Sequence, residues 1–132
     1  METVKFGNNT YCGPSVMSAI AGINTDEAAR IISSITGKKR VTGVYEEHLR
    51  IAFDLIGFKT EKIQVTANTV FGNLFHLTNG IYVFTVPGHY IAIEIDGNHR
   101  FICDNRTRSP INISASARLS QKVVSIIKVW RV

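Results

Sequence analysis

Cysteine is scarce in this chain of 132 residues: Cys12 and Cys103 are the only two, too few for the disulfide framework that staples small secreted domains. Both thiols are expected to be free, and a reducing cytosol is the expected compartment. Proline is also sparse, at three residues, and the ten glycines follow no period, which excludes collagen-like and repeat architectures. Long apolar runs are missing. The longest uncharged stretches carry Gly, Ser, Asn or Thr at close intervals, so no membrane-spanning helix is expected. The opening Met1-Glu-Thr-Val-Lys5 has neither the apolar segment nor the small-residue cleavage site of a secretory signal. No phosphate loop or dinucleotide fingerprint is present, so no cofactor is expected. Cys12, His89 and Cys103 form a conceivable metal set, but no C-x-x-C or H-x-x-x-H spacing supports it.

What the chain does have is apolar content, 45% of its residues, enough to bury a core without staples and to exclude disorder. A single domain over residues 1–132 follows. The formal charge of +5 is unevenly placed, since acidic side chains all but disappear after Gly97. Residues 97–132 carry seven basic side chains (Arg100, Arg106, Arg108, Arg118, Lys122, Lys128, Arg131) against Asp104 alone. That end could meet an anionic partner, or simply present a solvated face that maintains solubility. Phe71, Phe75, Tyr82, Phe84, Phe101 and Trp130 fall at core positions and do not interleave with the basic residues as a nucleic-acid platform would, so direct base reading is not expected.

The first half reads as helices. Gly13-Pro14 to Ile20-Ala21 is almost wholly small or apolar and stops at Gly22, as a helix buried on most sides would. Asn24 caps a second helix, with Ala28, Ile31, Ile32 and Ile35 at helical spacing before Gly37. After the basic turn Lys38-Lys39-Arg40, Tyr45 to Ile56 places Leu49, Ala52, Phe53 and Ile56 on one stripe. The second half reads mostly as strands: Phe58–Val65, Gly80–Val86, His89–Ile95, Asn98–Asp104, a short edge at Ile111–Ile113 and a terminal strand at Lys122–Val132, with one short helix at Thr69–Leu77. The fold class is α+β, with N-terminal helices packed on a C-terminal antiparallel sheet.

Chemistry can be looked for at two places. Cys12 opens the most buried helix, where the positive end of the helix dipole and unpaired N–H groups favour thiolate over thiol. The plain alternative is an inert cysteine filling space. A two-residue Asp96-Gly97 turn would set Ile95 opposite Asn98, Ile93 opposite Arg100, Ile91 opposite Ile102 and His89 opposite Asp104. An imidazole so held by a carboxylate suits a general base working on a thiol. A four-residue Asp96–His99 loop would place His89 against Arg106 instead. The remaining histidines invite simpler readings: His48 on a solvated helix face, His76 at a helix end, and His99 opposite Glu94 across the hairpin.

Tyr11-Cys12-Gly13-Pro14-Ser15 at a helix start, Gly88-His89-Tyr90-Ile91-Ala92-Ile93 at a strand start, and Cys103-Asp104-Asn105 at the end of the next strand together resemble the papain-like cysteine peptidases. The likeness is greatest to the small bacterial peptidases that remove double-glycine leader peptides from bacteriocin precursors. The resemblance implies a Cys-His-Asp triad with Cys12 as nucleophile, His89 as base and then acid, and Asp104 as the residue orienting His89. Asn105 is the alternative third member. The family usually carries an oxyanion-stabilising Gln about six residues before the Cys, where this chain has Phe6; Asn8 or Asn9 is then the candidate donor. The implied reaction is hydrolysis of a peptide or isopeptide bond through a thioester, and the partner a flexible peptide or protein substrate. Deamidation or transglutamination of a protein glutamine would use the same intermediate. An inactive papain-like domain that binds a protein, and a basic nucleic-acid or regulatory binding protein, are the alternatives. A virus-encoded origin is compatible with so small a domain.

Overall fold

The computed structural model describes residues 1–74, 76–113 and 120–132. Helix α1 spans Cys12–Ala21 and ends at Gly22, whose φ of 75° is the left-handed cap that a residue without Cβ adopts at little cost. Helix α2, Thr25–Thr36, is capped by Asn24, whose side chain accepts from the Asp26 N–H at 2.8 Å. Helix α3 covers Glu46–Leu55 and buries Leu49, Ala52 and Phe53, the stripe read from the sequence. Replacing Asn24 by Ala is expected to lower stability by about 1 kcal/mol, because one first-turn N–H of α2 loses its acceptor. Chemical denaturation should show a lower midpoint with an unchanged slope.

Six strands follow: β1 Phe58–Ile63, β2 Gly80–Val86, β3 His89–Asp96, β4 His99–Cys103, β5 Ile111–Asn112 and β6 Ser125–Arg131. They form one antiparallel sheet in the order β1-β6-β2-β3-β4-β5. The short helix expected at Thr69–Leu77 is a single 3₁₀ turn, Phe71–Leu74. The expected core residue Phe75, and Arg118 of the basic end, lie outside the described residues.

The sheet is apolar on both faces, which explains why β2 and β3 read as nearly unbroken apolar runs rather than as alternating ones. On the helix side, Val83, Ala92, Cys103, Ile127 and Val129 join Val16, Met17, Ala19, Ile32, Leu49 and Phe53 in one buried cluster. On the far side, Tyr82, Phe84, Ile91, Ile93, Ile102 and Ile126 pack with Phe71, Ile113 and Val123, contributed by the segments between strands. Trp130 departs from its expected core place and is 39% exposed.

The β3–β4 hairpin corrects the register expected from Asp96-Gly97. Asp96 pairs with His99, Ile95 with Arg100 and Ile93 with Ile102, so the two turn residues are Gly97 and Asn98. Gly97 has φ 59° and Asn98 is not in the left-handed region, the pattern of a type II′ turn, which wants Gly first rather than second. The Asn79 side chain accepts the Gly97 N–H at 2.9 Å and holds the turn. Extended, this register sets His89 opposite Arg106, as the longer-loop alternative did. It also moves His99 away from Glu94, which faces Phe101; His99 stacks on Phe101 with ring centroids 6.0 Å apart. The slip is two residues, and side chains alternate with a period of two, so every residue keeps its face.

Candidate active site

The loop leading to Cys12 is pinned to the start of α2. The Asp26 carboxylate accepts the backbone N–H groups of Asn8 and Asn9, each at 2.9 Å, and these bonds hold it below the usual carboxylate range. Thr25 Oγ1 accepts the Gly7 N–H at 2.8 Å and donates to the Asn9 carbonyl at 2.7 Å. Gly7 is required there, because a Cβ would come within 2.1 Å of Asp26 Oδ2. The chain then enters α1 with Cys12 as its first residue and Pro14 in its first turn.

The Pro87-Gly88 turn closes on the pair Val86–His89 and starts β3 at His89. Val44 links the two functional segments. It packs so closely on Gly13 that a Cβ there would lie 3.0 Å from Val44 Cγ2, and its carbonyl accepts the Tyr90 hydroxyl. That hydroxyl stays a donor, since burial and the nearby charges of Glu46 and Cys12 push its pKa up to about 12.

Asp104 directly follows β4, fully buried, and meets His89 on a diagonal from β3, with Oδ2 2.7 Å from Nε2. Its other oxygen accepts the N–H groups of Arg106 at 2.9 Å and Thr107 at 2.8 Å, while Thr107 Oγ1 accepts the Asp104 N–H at 3.0 Å. This reciprocal turn fixes the carboxylate before it meets the ring. Its signature, Asp104-Asn-Arg-Thr107, is readable in the sequence as an Asx turn. A carboxylate only accepts, so the His89 proton facing it sits on Nε2, leaving Nδ1 to the thiol.

Burial alone would raise the Cys12 pKa. The hydrogen bond with His89, the N–H groups of Tyr90 and Gly13 and the charge of His89 outweigh it and hold the thiol below its ordinary 9.0. Burial likewise opposes a charged His89. The bond to Asp104 and then the bond and charge of Cys12 raise it above 6.5. Both shifts favour a thiolate–imidazolium pair, whose two titrations belong to the pair.

The other candidates lie elsewhere. Asn105 donates from Nδ2 to the Thr10 carbonyl at 3.0 Å, tying the loop after Asp104 to the loop before Cys12, and not to His89. Asn9 gives one amide N–H to the Val41 carbonyl at 2.9 Å, and its oxygen accepts the Tyr11 N–H at 3.0 Å. Asn8 is exposed and lines a groove beside α2. Phe6 lies under the guanidinium of Arg108, 5.1 Å from the ring centroid. Cys103 is buried in the helix-side core and its pKa is pushed up to about 11 by burial, which makes it an unreactive thiol. His48 sits edge-on to Tyr45, and His76 is exposed beyond the 3₁₀ turn. Among the described residues, no group of His, Cys, Asp or Glu is placed to hold a metal ion.

Three of the basic residues near the C-terminal end cover aromatic rings. Arg108 lies over Phe6, Lys128 over Tyr82 and Arg131 over Phe58, three rings on separate parts of the chain. Among the described residues, no helix is long and apolar enough to cross a membrane.

Compared by sequence, no family model and no curated protein matches the chain. Compared by structure, it is similar to the peptidase domain of Streptococcus ComA, a bi-functional ABC transporter involved in a quorum-sensing pathway. The TM-score is 0.62 at 16% identity, over 98% of this chain and 96% of that one. The α+β, papain-like architecture is common to both.

Proposed function

We propose that the chain is a cysteine peptidase that cleaves a peptide or isopeptide bond with Cys12, His89 and Asp104. The observation that carries this reading is the buried Asp104 carboxylate 2.7 Å from His89 Nε2, with the same ring hydrogen-bonded to a thiol held below its ordinary pKa. The fold shared with a peptidase domain supports it. Cys12 Sγ bonds to the scissile carbonyl carbon, and the oxyanion forms beside the Cys12 N–H, the first of α1 and without a backbone partner among the described residues. The C–N bond then breaks as His89 gives its proton to the leaving amine. Water, deprotonated by His89, attacks the thioester and releases the acid and the thiolate. Asp104 acts on His89 throughout, keeping Nε2 protonated and Nδ1 turned to sulfur.

The test is the pH dependence of Cys12 alkylation by iodoacetamide. The lowered thiol pKa predicts reaction at neutral pH faster than for an ordinary thiol, with an acid limb below 9.0. The raised imidazole predicts a second inflection above 6.5, where loss of the ring's proton alters the thiolate's reactivity. The same shifts enter stability with opposite signs. The Cys12 contribution is complete above 9.0 and fades as pH falls through the folded value, while the His89 contribution is complete below 6.5 and fades as pH rises through its folded value. A single inflection at the ordinary thiol pKa would leave the inactive, protein-binding domain as the better reading.

A further inference from the structure

A groove of about 810 Å³ is lined by Tyr11, the residue before Cys12, and by no member of the triad. One wall is the outer stripe of α2, where Asp26, Ala29, Arg30, Ser33 and Ser34 recur at helical spacing, opposite the stripe that buries Ala28 and Ile32. The other wall is the pinned loop of Asn8, Asn9 and Tyr11, and Lys39, Arg40 and Val41 close it. Tyr11, 40% exposed, stands one residue before the nucleophile.

The charge of this groove is not the charge of residues 1–96, which carry eight basic against nine acidic side chains. Arg30, Lys39 and Arg40 are exposed, and among the described residues none of them forms a salt bridge. The one carboxylate present, Asp26, has both oxygens engaged by the Asn8 and Asn9 N–H groups. Three cations thus face a polar cleft of ligand size against a single carboxylate, Asp26, whose charge Arg30 already feels, and the lining keeps a net positive charge. Tyr11, Ala29 and Val41 supply apolar surface for the stems of the occupant's side chains.

We infer that this groove holds an acidic segment of the substrate, a stretch with two or more Asp or Glu side chains within a few residues of the bond cut at Cys12. This rests on the peptidase reading and specifies its substrate class. Arg30 and Arg40 bind the carboxylates in forked pairs, and Lys39 adds a point charge. The contribution is to affinity and capture, so it appears in KM more than in kcat.

The experiment uses a fluorescein-labelled Glu-rich decapeptide, its Gln counterpart and a single-stranded oligonucleotide of equal charge, each titrated by anisotropy onto the full chain. The Glu peptide should bind, weaken as salt rises from 50 to 300 mM, and slow iodoacetamide alkylation of Cys12; the Gln peptide should do none of these. Arg30→Glu with Arg40→Glu should weaken binding by roughly tenfold or more, whereas Lys59→Glu with Lys122→Glu, exposed and on other elements, should change it less than about twofold. Equal binding of the Glu and Gln peptides, equal weakening by both double variants, binding that leaves Cys12 unprotected, or binding of the oligonucleotide alone would each overturn the inference. If alkylation without peptide is no faster than for an ordinary thiol, the peptidase reading fails separately, and anisotropy still reports on the groove.

Discussion

Peptide hydrolysis is expected to fall to the uncatalysed background when Cys12 is replaced by Ala, with the fold unchanged. The side chain is at the surface end of α1, so its removal leaves no sealed cavity, whereas the reaction loses the atom to which the acyl group bonds. His89→Ala keeps that atom but removes the group that holds it as thiolate and protonates the leaving amine. A loss on the order of 10³–10⁴ in kcat/KM is expected, and the Cys12 pKa should move back up because its largest lowering influence is the hydrogen bond with His89. Both variants can be followed by mass spectrometry of a peptide pool, with intact-mass analysis for a trapped acyl-enzyme. Undiminished cleavage by the Cys12 variant would mean that the chemistry belongs to another group or another protein.

A pair of substitutions at Asp104 separates architecture from catalysis. Asp104→Asn retains an oxygen for the N–H groups of Arg106 and Thr107, so stability should change by less than about 1 kcal/mol. The amide nitrogen now faces His89 Nε2 and cannot accept from it, which drives the ring proton to Nδ1, the nitrogen that must receive the thiol proton. Turnover should fall by about 10³–10⁴, and the inflection of His89 should move down because its largest raising influence is gone. Asp104→Ala strands the ring and two backbone donors at a buried position. The cost should be about 3 kcal/mol, a fall of roughly 10 °C in Tm, together with the catalytic loss. If Asn and Ala proved equally active and equally stable, Asp104 would be a bystander.

The hairpin shows why part of the site was legible and part was not. His89 and Asp104 were expected to meet because they were placed directly opposite, and they do meet, but on a diagonal, with the turn moved to Gly97-Asn98. The prediction survived because a two-residue slip preserves the face, and the Asp104 turn then carries the carboxylate back toward the ring. The setting of Asn9 was not legible in the same way, since nothing local announced that Val41, 32 positions away, would take one of its amide N–H groups. Trp130 was assigned to the core by its apolarity. Its exposure follows from its place near the end of a strand next to the sheet's edge, where only one side is covered.

Periodicity, caps and stops set the α+β class, the three helices and the most apolar strands, since these depend on interactions within a few residues of one another. The order of residues also put a thiol at a helix start and an imidazole after a Pro-Gly turn. What folding in three dimensions added were relations between distant segments: the register of β3 on β4, the Val44 link between Gly13 and the Tyr90 hydroxyl, and the gathering of Arg30, Lys39 and Arg40 around one groove. Such contacts bring together groups tens of residues apart, and their geometry is set by packing of the whole core, which no local pattern encodes.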